Sequence, residues 1–232
     1  LGNTTTYSSP IQVGALTTWS SVSTGYGCTV ALKTDGTLWS WGNASHGQLG
    51  HNNPTTISSP VQIGALTTWA SVSVSGANAG SVVATQTNGT LWTWGANAQG
   101  QLGQGNTTNT SSPVQVGALT TWKDACTGSL FTIATATDGT LWSWGANNSG
   151  QLGQSNTTSY SSPVQVGALT NWVVRDGTAG KDFCAVVKTD GTLWTWGLNS
   201  TGQLGHGNYT TVYNSPKQVG ALTTWSDAVA RD

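Results

Sequence analysis

Apolar residues in this chain fall in short runs that alternate with polar ones, and no helical spacing competes with that pattern. The runs are rich in Val, Thr and Trp and are bounded by Gly, Asn and Pro, which predicts β-strands throughout. CTVALKT from Cys28 and TLWSWG from Thr37 enclose Asp35-Gly36, and the same junction recurs at Asn88-Gly89, Asp138-Gly139 and Asp190-Gly191. Such pairs tolerate positive φ at both residues, as a type I′ turn requires, so each predicts a tight hairpin. A strand such as WSSVS from Trp19 is expected before each hairpin, and a short PVQV strand after it. Strand parity puts Trp39 and Trp41 on one sheet face and Leu38 and Ser40 on the other. The same holds for Trp92 and Trp94, Trp142 and Trp144, and Trp194 and Trp196. Each Trp removes about 150–250 Å² from water when buried, so these residues are expected mainly in the core.

The pattern is periodic. SSPIQVGALTTW, ending at Trp19, returns with small changes to end at Trp69, Trp122, Trp172 and Trp225, at spacings of 50, 53, 50 and 53 residues. Between these copies lie DGTLWSWGNASHGQLG from Asp35 and its counterparts from Asn88, Asp138 and Asp190. Four strands in a period of about 52 residues describe one propeller blade. The expected fold is all-β, a β-propeller of four-stranded antiparallel blades. About four blades are complete, with PIQVG near Pro10 and WSDAVA from Trp225 left as unpaired terminal strands. The chain reads as one array over residues 1–232, with repeats near 10–59, 60–112, 113–162 and 163–215 and a partial repeat over 216–232.

TLWSWG, GQLG and CTVALKTDG together resemble the regulator-of-chromosome-condensation repeat over essentially the whole chain. The resemblance implies a ring, usually of seven blades, which at this period needs about 360 residues. With Leu1 first and no Met, the chain reads as a processed product or a fragment. In order of preference it is expected to be part of a larger seven-bladed ring, a ring completed by another copy, or a four-bladed closure. The family's founding member is a guanine-nucleotide exchange factor for a small GTPase on chromatin, which implies an intracellular regulatory propeller as the alternative reading. A plant photoreceptor of the family uses Arg-rich faces, whereas the only arginines here are Arg175 and Arg231. SSPVQVGALTTW with its Asn-, Thr- and Gly-rich connectors is also similar to repeats of large bacterial surface proteins and marine-phage structural proteins. That likeness implies the leading expectation, a non-enzymatic structural or display module of a virion or cell surface. It would be extracellular, would bind protein or glycan partners through loops, and would self-associate or sit in a larger parent assembly.

Charge narrows the partners. Only 6% of residues are Asp, Glu, Lys or Arg, the net charge is -1, and no charged residue lies between Asp35 and Lys123. Seven scattered basic residues make no phosphate-neutralising stripe, so nucleic acid is not an expected partner. Polybasic attraction to anionic lipid fails for the same reason. No run approaches the roughly 18–20 apolar residues that cross a bilayer, so no membrane insertion is expected, and LGNTTTYSS lacks a signal-peptide layout.

Candidate chemistry is sparse. All eight acidic residues are Asp, and those of the repeats serve the hairpin turn, since Asn88 replaces them in one copy. No catalytic set, cofactor or metal is therefore expected. His46, His51 and His206 fall in loops where other repeats carry Gln or Ser, and Cys28, Cys126 and Cys184 read as small buried hydrophobes without CxxC spacing. Nine NxS/T triplets are present, as an Asn- and Thr-rich composition produces by chance. The segment VVRDGTAGKDF, Val173 to Phe183, stands apart as an insertion after Trp172 carrying Arg175, Asp176, Lys181 and Asp182. It reads either as a solvated loop whose local ion pairs are worth little or, as a variable loop on a rigid scaffold, as the candidate partner-binding loop, with the loops between Asn106 and Tyr160 second.

Overall fold

The computed structural model describes residues 2–15, 17–76 and 80–230. Sixteen strands form four antiparallel sheets, and no helix occurs among the described residues. The first blade is β1 (Trp19–Gly25), β2 (Cys28–Lys33), β3 (Leu38–Gly42) and β4 (Ile57–Gln62). The second is β5 (Trp69–Val74), β6 (Ser81–Gln86), β7 (Leu91–Gly95) and β8 (Thr110–Gln115). The third is β9 (Trp122–Thr127), β10 (Phe131–Ala136), β11 (Leu141–Gly145) and β12 (Tyr160–Gln165). The fourth is β13 (Trp172–Val173), β14 (Phe183–Lys188), β15 (Leu193–Gly197) and β16 (Tyr213–Gln218). In every sheet the strands pair in sequence order. Pro10–Val13 and Trp225–Ala230 are irregular segments rather than strands; the second is held only at its ends, where Trp225 N donates to Gly191 O at 3.1 Å and Ala230 N to Gly177 O at 2.6 Å.

The hairpins form, but with a different turn. Gly36 has φ +77, whereas Asp35, Asn88, Asp138 and Asp190 stay out of the positive-φ region, so a type I′ turn is excluded. Gly36 N donates to Lys33 O and Lys33 N to Thr37 O, which makes a three-residue loop closed by a left-handed glycine. Asp35 keeps negative φ because its Oδ1 accepts from Thr37 N at 3.0 Å and Thr37 Oγ1 at 2.6 Å. Trp39 Nε1 then donates to Thr37 Oγ1 at 2.9 Å, and Trp92, Trp142 and Trp194 repeat that bond. The DGTLW motif is thus one relay from a turn carboxylate to an indole.

Each blade carries three tryptophans in contact on one face. Trp69 packs edge-on to Trp92 and tilted to Trp94, both at 6.1 Å between centroids, and the other blades copy the arrangement. Lys33 lies 3.7 Å over the Trp39 ring, a contact in which the buried stem packs while the ammonium meets the π face. The opposite face of each blade carries Val30, Leu38 and their counterparts. The face with the tryptophans of one blade meets the opposite face of the blade before it, so that Val30, Leu32 and Leu38 share a core with Trp69, Val72 and Trp94.

Blade junctions are locked by backbone. Trp94, Trp144 and Trp196 each send Nε1 to the carbonyl of Gln48, Gln101 and Gln151 in the preceding GQLG loop, at 3.0, 2.9 and 2.8 Å. At the rim Asn52, Gly105 and Ser155 donate their amides to the carbonyls of Ser111, Ser161 and Asn214, each at 2.7 Å. The loops are so close that a Cβ on Gly47 or Gly100 would stand 2.6 Å from Ser111 or Ser161 Cα.

Candidate functional site

The inner strands β1, β5 and β9 approach one another around a hub, and the fourth blade breaks the pattern there. Its inner strand is two residues long, and the chain then runs irregularly through residues 174–182. Arg175, Asp176 and Lys181 are exposed, as expected of a solvated loop, but the expectation of an insertion is corrected. From Trp172 to Phe183 is 11 positions, against 9, 12 and 9 from Trp19 to Cys28, Trp69 to Ser81 and Trp122 to Phe131, so the segment is not unusually long. It lies on the hub because Gly177, at φ +91, and a Thr178 turn onto Arg175 O redirect it away from a strand ladder.

The four charged residues of this segment have separate roles. Asp176 reaches the other blades: Ser73 Oγ donates to its Oδ1 at 2.6 Å and Ser23 Oγ to its Oδ2 at 3.1 Å. Ser23 also accepts from Val74 N at 3.0 Å, so the carboxylate ties together blades one, two and four. Its charge, after burial, helps push the Cys126 thiol up. Arg175 turns outward to Asp227 at 3.8 Å, an exposed pair of small energetic weight. Asp182 accepts from Gln151 Nε2 at 3.1 Å, serving the junction of blades three and four. Lys181 is exposed at the mouth of a cavity of about 310 Å³ that Ser23, Val74, Thr127, Asp176 and Ala230 also line. Asp124, raised chiefly by burial and eased by Lys123 and Arg175, adds an acid near the same end. Sequence reasoning found the segment; the serines that anchor Asp176 gave no signal, because Ser23 and Ser73 sit in ordinary strand runs. Arg231 lies outside the described residues.

The remaining candidates are structural. Ser40 Oγ donates to Leu49 O at 2.6 Å, so His51 Nε2, 2.9 Å from the same oxygen, must carry a proton and donate to it. Gln104 and Gln154 make that bond in the middle blades and His206 in the fourth. His46 lies tilted against Tyr26, with 5.3 Å between ring centroids, and no group of three metal-ligating side chains occurs among the described residues. Cys28, Cys126 and Cys184 are buried free thiols. Of the NxS/T triplets, Asn147 and Asn199 are buried with their amides donated to Asn156 O and Asn208 O, which removes them as surface acceptors. The two loop regions ranked second, around Asn106 and Tyr160, hold their own turns, and Gly153, Gln154 and Ser155 between them line a cleft of about 350 Å³ beside Trp172.

Four blades with Trp relays and GQLG junctions define a β-propeller repeat protein in which the segment carrying Arg175, Asp176, Lys181 and Asp182 lies at the hub. Residues 35–83, 88–135, 138–187 and 190–230 match the regulator of chromosome condensation (RCC1) repeat, and the chain belongs to that family. A second description of the repeat matches 19–48, 122–151 and 174–203. Protein RCC2 homolog of Danio rerio is 35% identical over 78 residues, 34% of this chain and 16% of its own length. Protein RCC2 of Homo sapiens is 31% identical over 86 residues, 37% of this chain and again 16% of its own. Among solved structures, Prp20p of Saccharomyces cerevisiae, described with its binding to Gsp1p and histones, aligns at TM-score 0.78. It is 18% identical, with 93% of this chain and 54% of Prp20p covered. Human WBSCR16 aligns at 0.75 with 22% identity, covering 87% of this chain and 52% of that one. The chain therefore spans about half of these structures and far less of the curated relatives.

The comparison overturns the expected extracellular or virion-surface location, since Prp20p is described with its binding to Gsp1p and histones and yeast RCC1 (Prp20) with Kap60 bound to it. The surface-display and glycan readings find no support among them, whereas a protein partner does. No helix among the described residues is long and apolar enough to cross a membrane.

Proposed function

We propose that this chain is a propeller unit of an intracellular regulator that binds a protein partner at the hub end of its blades. The observation that carries the reading is the fourth-blade segment. Asp176, held by Ser23 and Ser73 of two other blades, fixes residues 174–182 over a cavity and leaves Arg175 and Lys181 exposed beside it. A rigid scaffold with its one cluster of charge at a concave end suits recognition of a folded protein, because little ordering entropy remains to be lost on docking. Prp20, a structural neighbour, binds Gsp1p and histones, which supports a protein ligand and, more narrowly, a small GTPase. Exchange activity is the finer form of this reading: a hub-end contact would act by stabilising the nucleotide-free GTPase.

The test is release of fluorescent GDP from a panel of small GTPases, with binding of each nucleotide-free GTPase followed by interferometry. Binding that Lys181→Glu and Arg175→Glu weaken at least tenfold supports the hub-end site, and accelerated release in addition supports exchange. Binding unchanged by both substitutions, or no binding to any member of the panel or to histones, overturns the reading.

A further inference from the structure

The pair of edge-on indoles beside each hairpin turn recurs in all four blades, but what lies over it differs. Lys33 pairs across its ladder with Trp19, and its Nζ stands 3.7 Å from the Trp39 ring centroid and 5.3 Å from that of Trp19. Lys188 takes the same place in the fourth blade, paired with Trp172 and 5.4 and 5.5 Å from the Trp172 and Trp194 centroids. In the second blade Gln86 pairs with Trp69, and its Nε2 is buried without a hydrogen-bond partner among the described residues. Three blades fill this place with a long side chain that ends in N–H groups. In the third blade the residue paired with Trp122 is Ala136, which stops at Cβ.

The short residue leaves three marks on its surroundings. Thr140 is half-buried, whereas its counterparts Thr37, Thr90 and Thr192 are 8%, 6% and 8% exposed. The bonds of Thr140 to Asp138 are exposed, where those of Thr37 to Asp35 and Thr192 to Asp190 are half-buried. The charges differ as well. The Thr37 hydroxyl and amide, and then Lys33, hold the Asp35 carboxyl below the usual carboxylate range, and Thr192 and Lys188 do the same for Asp190; Asp138 has its Thr140 bonds and no cation. Finally, a cleft of about 490 Å³ opens onto Trp122, Trp142 and Leu119, whereas the corresponding cleft of the fourth blade is about 350 Å³ and Trp194 does not line it. The third blade therefore holds two indoles 5.8 Å apart and a carboxylate, with no ammonium of its own between them.

We propose that the third blade seats the ammonium of a lysine side chain of a partner protein over Trp122 and Trp142, beside Asp138. The occupant is specified by the chain itself, because the same frame of turn aspartate, threonine and paired indoles holds a lysine in the first and fourth blades. A cation over an indole face is attracted by the ring quadrupole, and a carboxylate at the same place adds charge complementarity. Leu119, 47% exposed on the wall of the cleft, gives the methylene stem an apolar surface to lie on. The site is separate from the hub-end segment. Thr127, at the end of β9, lines the hub cavity, whereas Ala136 pairs with Trp122 at the other end of that strand, so the two surfaces can be tested independently.

The probes are n-propylammonium, the piece that Ala136 lacks relative to lysine, and a capped Gly-Lys-Gly peptide, each titrated into the whole chain at constant ionic strength. The indole N–H resonances of Trp122 and Trp142 are expected to shift and saturate with both, while those of Trp39 and Trp194, already under lysines, stay in place. n-Propanol, similar in shape but uncharged, and the peptide acetylated on its lysine should bind about tenfold more weakly, the share of a cation held against aromatic faces. Asp138→Asn should weaken ammonium binding about threefold, as loss of one exposed charge partner does. Ala136→Lys, which copies the first and fourth blades, should abolish the shifts with an unchanged circular-dichroism spectrum, and Ala136→Gln, which copies the second, should abolish them too. Absence of a saturable shift at Trp142, equal binding of n-propanol, or ammonium binding that survives both Ala136 substitutions overturns the site. A response to n-propylammonium without one to the peptide overturns a partner's lysine as its occupant.

Discussion

Gly103 and Gly205 occupy the same place in their repeats and differ only in what faces them, so a matched pair of alanine substitutions measures a blade junction. Both have positive φ, +70 and +71, and alanine at either costs about 1–2 kcal/mol for a left-handed backbone. At Gly205 that is the whole cost, since the nearest atom to the new methyl is Val219 Cγ1 at 3.6 Å. At Gly103 the methyl would stand 2.7 Å from Trp144 Nε1 and 3.0 Å from Cε2. The indole must withdraw, and its N–H leaves Gln101 O, now 2.9 Å away, inside a fully buried site. Overpacking adds about 1–3 kcal/mol and an unsatisfied buried N–H a similar amount, so Gly103→Ala should cost at least about 2 kcal/mol more than Gly205→Ala. Urea unfolding followed by tryptophan fluorescence reads the difference, and hydrogen exchange should place it at β7 and β11. Equal shifts of the midpoint would refute the reasoning, since the Trp144 contact would then not hold the junction.

Three more predictions rest on single groups. Burial lowers the His51 and His206 pKa values below the ordinary 6.5, so the unfolded chain takes up protons first; their contribution is complete above 6.5 and is lost as pH falls through the lower folded values. His51→Gln with His206→Gln, which keeps the bond Gln104 and Gln154 make, should flatten the melting temperature between pH 6.5 and 5; an unchanged slope would assign it to other groups. Asp138 is lowered by its Thr140 bonds, first the amide and then the hydroxyl, so its contribution is present above the usual 3.8 and lost as pH falls through the folded value. Asp138→Asn, which copies Asn88, should leave stability at pH 7 close to that of the parent and lessen acid sensitivity below pH 4; a large loss at pH 7 would show that the charge itself matters. Burial pushes the Cys28 thiol up to about 12 and raises Cys126 and Cys184, so mass spectrometry after iodoacetamide should find no adduct in native protein and three in denatured; rapid native labelling of any of them would contradict the buried placement.

The strands, their order and the blade were determined by sequence, because hairpin turns and period-two alternation are local and recur four times. Local chemistry also placed the indole relay, since Asp35, Thr37 and Trp39 lie within five residues. The turn type escaped sequence reading because Asp35 uses its carboxylate on Thr37, which holds it at negative φ. Equivalent residues diverged only in three dimensions. Val22 and Val72 stand in near-identical strands, yet one is exposed and the other covered, since burial depends on which blade face lies opposite. Asp176 belongs to a segment that sequence marked as a loop, but its place at the hub depends on Ser23 and Ser73, 153 and 103 residues away. Pairings over such separations leave no local trace, because the hydroxyls that receive the carboxylate are ordinary strand residues until the blades close round them.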